Sequence, residues 1–279
     1  AASDVYKRQL WLVSLLKQAF PYRAWLARLT RFPPIRWIVD RLAFWEDYII
    51  YLPQDRVASK TIHIGRQLDD PASTVLPSDI VHKLIDQASF LWIMNWCICR
   101  SASNCKDYPI DYGCLFMGEA ARGINPQLGR PVTKEEAHEH IKKCQEAGLV
   151  HLVGRNKLDT LWLGIGPGER LLTVCNCCPC CCLWTMLPKM DRQLASKIHR
   201  MPGVSLRVTD QCTGCGRCVD VCFVDAIEII DGRARITDVC RGCARCVDIC
   251  PSHAIELRIA GDQPYKDALA RLSAVVNVK

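Results

Sequence analysis

The sequence predicts an α+β protein with a mainly helical N-terminal domain, one β-hairpin and a compact duplicated module near the C-terminus. Three observations predict it: a cysteine run that occurs twice, a helix that opens with a capping box at Thr133, and two apolar stretches separated by turn-forming residues. We expect four segments, namely a basic helical segment at 1–59, a cysteine-rich domain at 60–200, the duplicated module at 203–258 and a tail at 259–279.

The duplicated run spaces four cysteines as C-x2-C-x2-C-x3-C, in CTGCGRCVDVC and again 28 residues later in CRGCARCVDICP. Its members are Cys212, Cys215, Cys218 and Cys222, then Cys240, Cys243, Cys246 and Cys250. Three thiolates three residues apart lie on a loop that curls around one face of an iron-sulfur cube, so the fourth ligand comes from elsewhere. Zinc is disfavoured, because a tetrahedral site needs two pairs and not two interlocked runs of four.

Over residues 203–258 the chain resembles bacterial ferredoxins with two 4Fe-4S clusters, and all eight ligand positions are present. The resemblance implies low-potential one-electron transfer and a βαβ-βαβ fold with strands at 205–209, 228–230, 234–237 and 256–259. It also implies crossed ligation: Cys212, Cys215, Cys218 and Cys250 hold the first cluster, and Cys240, Cys243, Cys246 and Cys222 hold the second. One departure is Phe223, where the first run would usually carry a proline.

Cysteine content and net charge limit which classes of protein the rest of the chain can belong to. Nineteen cysteines in 279 residues is an odd number in a chain longer than most disulfide-rich secreted proteins, so we expect a reducing, cytoplasmic location. The formal charge of +7 lies outside the duplicated module, because residues 1–59 carry nine Lys or Arg against five Asp or Glu, whereas residues 203–257 carry six against eight.

The N-terminal segment is basic and rich in tryptophan. Four apolar residues recur there at helical spacing: Leu12, Leu15, Leu16 and Ala19. Such a stripe most often packs on the protein's own core, and we favour that interpretation. The alternative is that residues 10–52 dock on a partner or lie peripherally on a membrane surface. No apolar run reaches the length that spans a bilayer.

Ten further cysteines fall into two tight groups. The first is Cys97, Cys99, Cys105 and Cys114, and the second is Cys175, Cys177, Cys178, Cys180, Cys181 and Cys182. Free cysteine packs as a small hydrophobe, which accounts for Cys144 and for part of the second group. Because ten clustered thiols beside Arg100 and Lys106 would otherwise invite oxidation, we expect at least one more metal site built from these residues. Its occupant would be a third iron-sulfur cluster or zinc.

Local patterns predict the helices and the hairpin of the cysteine-rich domain. Ser78 or Asp79 caps a helix whose apolar positions continue to Trp92, and a second short helix is predicted at 115–122. Strands at 149–153 and 158–165 form a hairpin. Helices followed by a two-stranded wing are the layout of a winged-helix domain.

Two function classes follow. The first is an electron-transfer protein, or a subunit of an oxidoreductase, that works with redox partner proteins. The second is a redox-sensing regulator that binds nucleic acid through the winged helix. The helix after Thr133 begins with Glu135, Glu136 and Glu139, whose carboxylates repel phosphate, so the first class is favoured and nucleic acid disfavoured. No triad or nucleotide fingerprint is present in the sequence; we assign no catalytic residue and favour an electron carrier over a stand-alone enzyme.

Overall fold

The structure, a computed structural model, describes residues 2–45, 47–59, 62–63 and 76–279. The helices in this part of the chain are α1 (Ala2–Ala19), α2 (Arg23–Leu29), α3 (Pro33–Val39), α4 (Asp55–Ala58), α5 (Asp79–Gln87), α6 (Ile98–Ala102), α7 (Lys134–Glu146), α8 (Lys157–Leu163), α9 (Arg192–Ala195), α10 (Arg217–Asp220), α11 (Arg245–Ile249) and α12 (Gln263–Val275). Short 3-10 segments lie at Phe20–Tyr22, Glu119–Gly123, Gly168–Arg170 and Leu183–Lys189, and a π-helical turn lies at Asp40–Phe44.

The strands form three sheets. They are β1 (Tyr48–Tyr51), β2 (Ile62–His63), β3 (Leu91–Met94), β4 (Leu115–Met117), β5 (Gly129–Pro131), β6 (Val150–Arg155), β7 (Leu172–Cys177), β8 (Ile198–Arg200), β9 (Val204–Val208), β10 (Ile227–Ile230), β11 (Arg233–Ile236) and β12 (Ile255–Ile259). Seven strands pair in the order β5-β3-β4-β7-β6-β1-β8, three in the order β2-β12-β9, and β10 pairs with β11.

The seven-stranded sheet is covered on both faces, which explains why its strands β1, β3 and β4 are continuously apolar. On one face Ile50 and Val153 pack with helices α5, α7 and α12 and with β12 of the duplicated module. On the other face Tyr51 and Leu152 pack with α2 and the Leu183–Lys189 segment. Helices α1 and α8 cover the part of this second face formed by β3 and β4. The module thus shares a hydrophobic cluster with the sheet. The division of the chain into four segments remains a prediction.

Helix α7 and the strands of the duplicated module form where the sequence predicts them. The Thr133 side chain accepts a hydrogen bond from the Glu136 amide at 3.2 Å, and the Glu136 carboxylate accepts one from the Thr133 amide at 2.9 Å, which completes the capping box. Strands β9, β10, β11 and β12 begin and end within one residue of the predicted bounds. The sequence also predicts a strand at 61–64, and the structure describes it at Ile62–His63.

The predicted hairpin is wrong, and with it the winged-helix layout. The Asn156 side chain accepts a hydrogen bond from the Leu158 amide at 3.2 Å and so begins α8 where a second strand was expected. Gly164, at φ 61°, ends this helix. The real neighbours of β6 are β1 and β7, with Leu152 opposite Cys175. The N-terminal domain therefore contains a seven-stranded sheet and is not mainly helical with a single hairpin.

Two predicted helices are also shorter or absent. Helix α5 ends at Gln87, and Leu91 and Trp92 belong to β3. Residues 115–117 form β4, which is fully buried between β3 and β7, and only Glu119–Gly123 is helical. In both segments the apolar spacing fits a helix locally, but burial on both faces of a sheet decides the conformation.

Asp47 lies at the start of β1 and makes the folding stability depend on pH. Its Oδ1 accepts a hydrogen bond from the Lys157 amide at 2.9 Å, while Oδ2 is buried with no hydrogen-bond partner. Burial raises the pKa of this carboxyl from 3.8 to about 7. The protonated acid is the form that suits the fold, so its contribution is full below pH 4 and is lost as the pH rises through 7.

We expect Asp47→Asn to raise the melting temperature at pH 8 and to leave it nearly unchanged at pH 4.5, because the neutral amide mimics the protonated acid. Thermal unfolding followed by tryptophan fluorescence across this pH range measures the difference. An equal shift at both pH values would show that the effect is not titration of Asp47.

Candidate functional site

The C-terminal cysteines form two groups, and each group combines both runs. Four cysteines line one small cavity: Cys212, Cys215, Cys218 and Cys250. The loop that carries the first three passes close to the turn between β10 and β11. A Cβ on Gly214, which has φ 67°, would lie 2.3 Å from the carbonyl oxygen of Gly232, so this position requires glycine.

The second group contains the other four cysteines: Cys222, Cys240, Cys243 and Cys246. Burial raises the pKa of the Cys240 and Cys246 thiols, and the neighbouring thiols of this group raise it further. The fourth cysteine of each run therefore lies beside the first three of the other run. The sulfurs of Cys222 and Cys250 occupy equivalent positions, since each accepts a hydrogen bond at 3.3 Å from the amide four residues later.

Six N-terminal cysteines surround a cavity of about 310 Å³, which we call the six-thiol cavity: Cys97, Cys99, Cys114, Cys175, Cys177 and Cys182. Cys178 also borders this space, but its sulfur belongs to another group described below. Cys175 and Cys177 lie on the same face of β7, because alternate residues of a strand share a face. Apolar side chains of α1 and α8 close the other side, among them Leu12, Leu16 and Trp162.

The thiols of the six-thiol cavity are paired. The sulfurs of Cys114 and Cys175 are 3.7 Å apart. A hydrogen bond from Cys99, assisted by the nearby Arg100 guanidinium, outweighs burial and lowers the pKa of the Cys97 thiol to about 6. Cys177 lowers the pKa of Cys182 in the same way, while the partner thiols Cys99 and Cys177 have raised pKa values. These pairs therefore stabilise thiolates inside the protein.

Arg100 is completely buried among these thiols. Its guanidinium donates hydrogen bonds to the carbonyl oxygens of Asn176, at 2.6 Å, and Tyr112, while Nε has no partner. Burial lowers the pKa of Arg100, but the neighbouring thiols, Cys97 foremost, more than reverse this and leave the pKa raised. Among the described residues no carboxylate lies within ion-pair distance of Arg100. A buried cation needs a negative partner, so this site is built to hold negative charge on sulfur.

Of the five other N-terminal cysteines, all but Cys144 form a separate cluster, which we call the four-thiol group: Cys105, Cys178, Cys180 and Cys181. Their sulfurs all lie within 4.8 Å of one another, and those of Cys105 and Cys180 are 3.7 Å apart. The ten cysteines predicted as one candidate set are thus divided by the fold into six and four.

A buried polar network, which sequence analysis missed, fixes the end of β7. Asn176 Oδ1 accepts a hydrogen bond from His151 Nδ1 at 2.8 Å, and Asn176 Nδ2 donates to the Gly113 carbonyl oxygen at 2.9 Å. Burial lowers the pKa of His151 to about 4, so the imidazole stays neutral. The pairing of His151 with Asn176 depends on the register of β6 and β7, which no local pattern reveals.

Three side chains connect the six-thiol cavity with the second C-terminal group. The Tyr51 hydroxyl is 3.9 Å from the Cys182 sulfur, and its ring centroid is 4.9 Å from that of Phe223. The Arg245 guanidinium lies 5.8 Å from the Phe223 ring centroid and donates a hydrogen bond to the Cys177 carbonyl oxygen. Phe223 directly follows Cys222, so the residue that departs from the ferredoxin pattern lies at the junction of the two thiol sites.

Comparison with known proteins identifies the first half of the duplicated module. A family model described as the 4Fe-4S binding domain matches residues 207–228, which contain Cys212, Cys215, Cys218 and Cys222. Comparisons with curated proteins and with solved structures found no significant match. The chain therefore contains a 4Fe-4S binding domain at residues 207–228, which supports binding of a 4Fe-4S cluster, and its cysteine clusters are compatible with electron transfer.

Proposed function

We propose that the protein transfers single electrons between a redox partner and a metallocluster in its N-terminal domain, as an electron carrier or as a subunit of an oxidoreductase. The observation that carries the proposal is the contact between the two thiol sites through Tyr51, Phe223 and Arg245. A carrier with a C-terminal module alone would have no need to place six more thiols beside its second cysteine group.

The C-terminal module suits two 4Fe-4S clusters with crossed ligation, which supply one-electron redox chemistry when bound. In this proposal Cys212, Cys215, Cys218 and Cys250 bind one cluster, and Cys240, Cys243, Cys246 and Cys222 bind the other. The grouping of these sulfurs supports the assignment. The amide hydrogen bonds to Cys222 and Cys250 stabilise negative charge on sulfur and would set the reduction potential of each cluster.

The six-thiol cavity suits a third iron-sulfur cluster. Six cysteines offer more than the four thiolates that a cubane cluster needs, and the buried Arg100 compensates the negative charge of a thiolate-ligated cluster. The apolar side chains of α1 and α8 keep water from the sulfurs, which favours redox exchange with a protein partner over loss of electrons to solvent. Tyr51 and Arg245 position the Cys177 and Cys182 end of the cavity against the module.

The regulator alternative has no support from the fold. A recognition helix and a wing would have to come from α7 and the strands after it, yet α8 replaces the second wing strand. The first turn of α7 carries Glu135 and Glu136, both exposed, which would repel a phosphate backbone.

We expect Cys222→Ala to release Cys240, Cys243 and Cys246, and Cys250→Ala to release Cys212, Cys215 and Cys218, because each fourth cysteine serves the cluster of the other run. Anaerobic alkylation of the folded protein, followed by peptide mass spectrometry, identifies the released thiols. The two variants are each other's control. Release of Cys212, Cys215 and Cys218 in the Cys222 variant would show that each run binds its own cluster.

We expect wild-type protein to contain about twelve iron atoms per chain and Cys99→Ala about eight, with both C-terminal clusters retained. Cys144→Ala is the matched control, since Cys144 is a buried cysteine of α7 that does not line the cavity and packs instead with Cys105 and Leu149. Iron and acid-labile sulfide are counted after anaerobic purification. About eight iron atoms in both the wild-type protein and the Cys99 variant would mean that these cysteines bind no iron-sulfur cluster and that the relay is absent.

The N-terminal helices present an exposed surface that is both aromatic and basic. Its aromatic members are Trp11, Tyr22, Trp25, Phe32, Trp37 and Trp45, of which Trp37 is 67% exposed. Residues 1–45 carry eight Lys or Arg against two Asp or Glu, a net charge of +6, whereas the net charge of the whole chain is +7. Of the predicted stripe, Leu12, Leu16 and Ala19 are only partly buried and Leu15 is 46% exposed, whereas Val13, Phe20 and Ala27 of this segment pack in the core.

We propose that this surface binds peripherally to an anionic lipid membrane. Tryptophan suits the membrane interface because its ring is apolar and its N–H is polar, and arginine is attracted to anionic headgroups. No helix among the described residues is long and apolar enough to cross a bilayer, so any contact through them would be peripheral. The alternative is that this surface binds a folded protein with an acidic surface, and the test must distinguish such a partner from a membrane.

We expect the protein to sediment with vesicles of phosphatidylcholine and phosphatidylglycerol and much less with phosphatidylcholine alone. The double change Trp25→Ser and Trp37→Ser should weaken the first interaction by about tenfold or more. The control is Ile229→Ser with Ile230→Ser, which removes two exposed apolar residues from β10. If the wild-type protein does not bind these vesicles, the membrane proposal is wrong and the surface binds a protein partner instead.

A further inference from the structure

The four-thiol group differs in geometry from the cluster sites. In a tetrahedral zinc site the metal–sulfur distance is about 2.3 Å, which places the four sulfurs about 3.8 Å apart. The sulfurs of Cys105 and Cys180 are 3.7 Å apart, and all four lie within 4.8 Å of one another. In a cubane cluster each thiolate binds a different iron on the outside of the cube, so the sulfurs stand farther apart than around a single ion.

We propose that Cys105, Cys178, Cys180 and Cys181 bind one zinc ion in a structural site that is separate from the iron-sulfur clusters. The site would be closed: four thiolates fill the coordination sphere and leave no position for substrate. Three of the four residues are buried, and Cys180 alone is exposed. The Cys181 amide donates a hydrogen bond to the Cys178 sulfur at 3.4 Å, an interaction of the kind that stabilises a ligating thiolate.

The two N-terminal thiol sites lie on opposite sides of the β7 end. Cys105, Cys178 and Cys181 pack with Cys144 of α7 and with Leu149. Cys177 and Cys182 pack instead with Tyr51 and Trp184, on the other face of the sheet. A single cluster could not use both sets of sulfurs without passing through the strand. The division of the ten cysteines is therefore a division between two metal sites.

The position of the zinc site gives it a role. It joins the loop after α6, which carries Cys105, to the turn after β7, which carries the other three ligands. The cysteines of the six-thiol cavity flank these two segments along the chain. A zinc ion would fix the turn between Cys177 and Cys182, so that both thiols point into the cavity.

The test is metal analysis of the full chain. We expect about one zinc atom per chain, and we expect its X-ray absorption edge to report four sulfur neighbours at about 2.3 Å, a signal that iron does not obscure. Cys181→Ala should lose the zinc while the iron of the C-terminal clusters stays. Cys144→Ala, which removes a buried thiol of the same apolar cluster, should keep it.

Three outcomes would overturn the assignment. Loss of about four iron atoms in the Cys181 variant with zinc unchanged would mean that the group binds a cubane cluster. Loss of one iron atom would mean a mononuclear iron site. A wild-type protein that contains no zinc and a Cys181 variant with unchanged metal content would mean that these thiols only pack.

Should the variant fail to fold, the zinc absorption edge of the wild-type protein still decides between four sulfur ligands and none. The Cys99 variant tests the third iron-sulfur cluster independently, so failure of one proposal does not imply failure of the other.

Discussion

The buried charge of Arg100 is the constraint on which the N-terminal domain depends. A guanidinium without contact to water or to a carboxylate is destabilising unless anions surround it, and in this interior the nearby groups that can become anions are thiols. Arg100 in turn adds to the hydrogen bond from Cys99 in stabilising the Cys97 thiolate inside the protein. Its two hydrogen bonds, to the carbonyl oxygens of Asn176 and Tyr112, also join the two chain segments that carry the thiols. Arg100 therefore both compensates the negative charge of the thiols and holds together the two chain segments that carry them.

A second buried cation, Arg245, connects this domain to the C-terminal module. It belongs to the second cysteine run, between Cys243 and Cys246, and it donates a hydrogen bond to the Cys177 carbonyl oxygen at the end of β7. In the first run the equivalent residue is Arg217, which lies in the duplicated position but lines the surface cavity of the other cysteine group. The two halves of the repeat share their ligand spacing but contact the six-thiol cavity differently: the second half does so through Arg245 and the first through Phe223. Phe223, in place of a proline, supplies the aromatic surface on which Tyr51 packs.

Local patterns predict the cysteine module and the capped helix α7, because ligand spacing, turn glycines and capping boxes act over a few residues. They do not predict the seven-stranded sheet. Strand β6 pairs with β7 and β1, which lie far from it in sequence, and the apolar stretch at 158–165 fits a strand or a helix equally well until Asn156 is seen to cap it. The division of ten cysteines into six and four has the same origin. Neighbours such as Cys177 and Cys178 separate onto opposite sides of the sheet, and only the pairing of β7 determines which side each faces.

Helix α1 belongs to two surfaces at once. Leu12 and Leu16 line the six-thiol cavity, whereas Trp11 is exposed, and Leu15 both borders the cavity and is 46% exposed. A membrane bound to the tryptophan-rich surface would therefore lie near the mouth of the cavity and would help the apolar wall exclude water from the sulfurs. Deletion of the N-terminal helices would open the cavity and would also remove the lipid-binding surface. Loss of iron in such a truncated protein would therefore not show whether the surface binds a membrane. Substitution of the outward tryptophans separates the two roles, because these side chains leave the cavity wall intact.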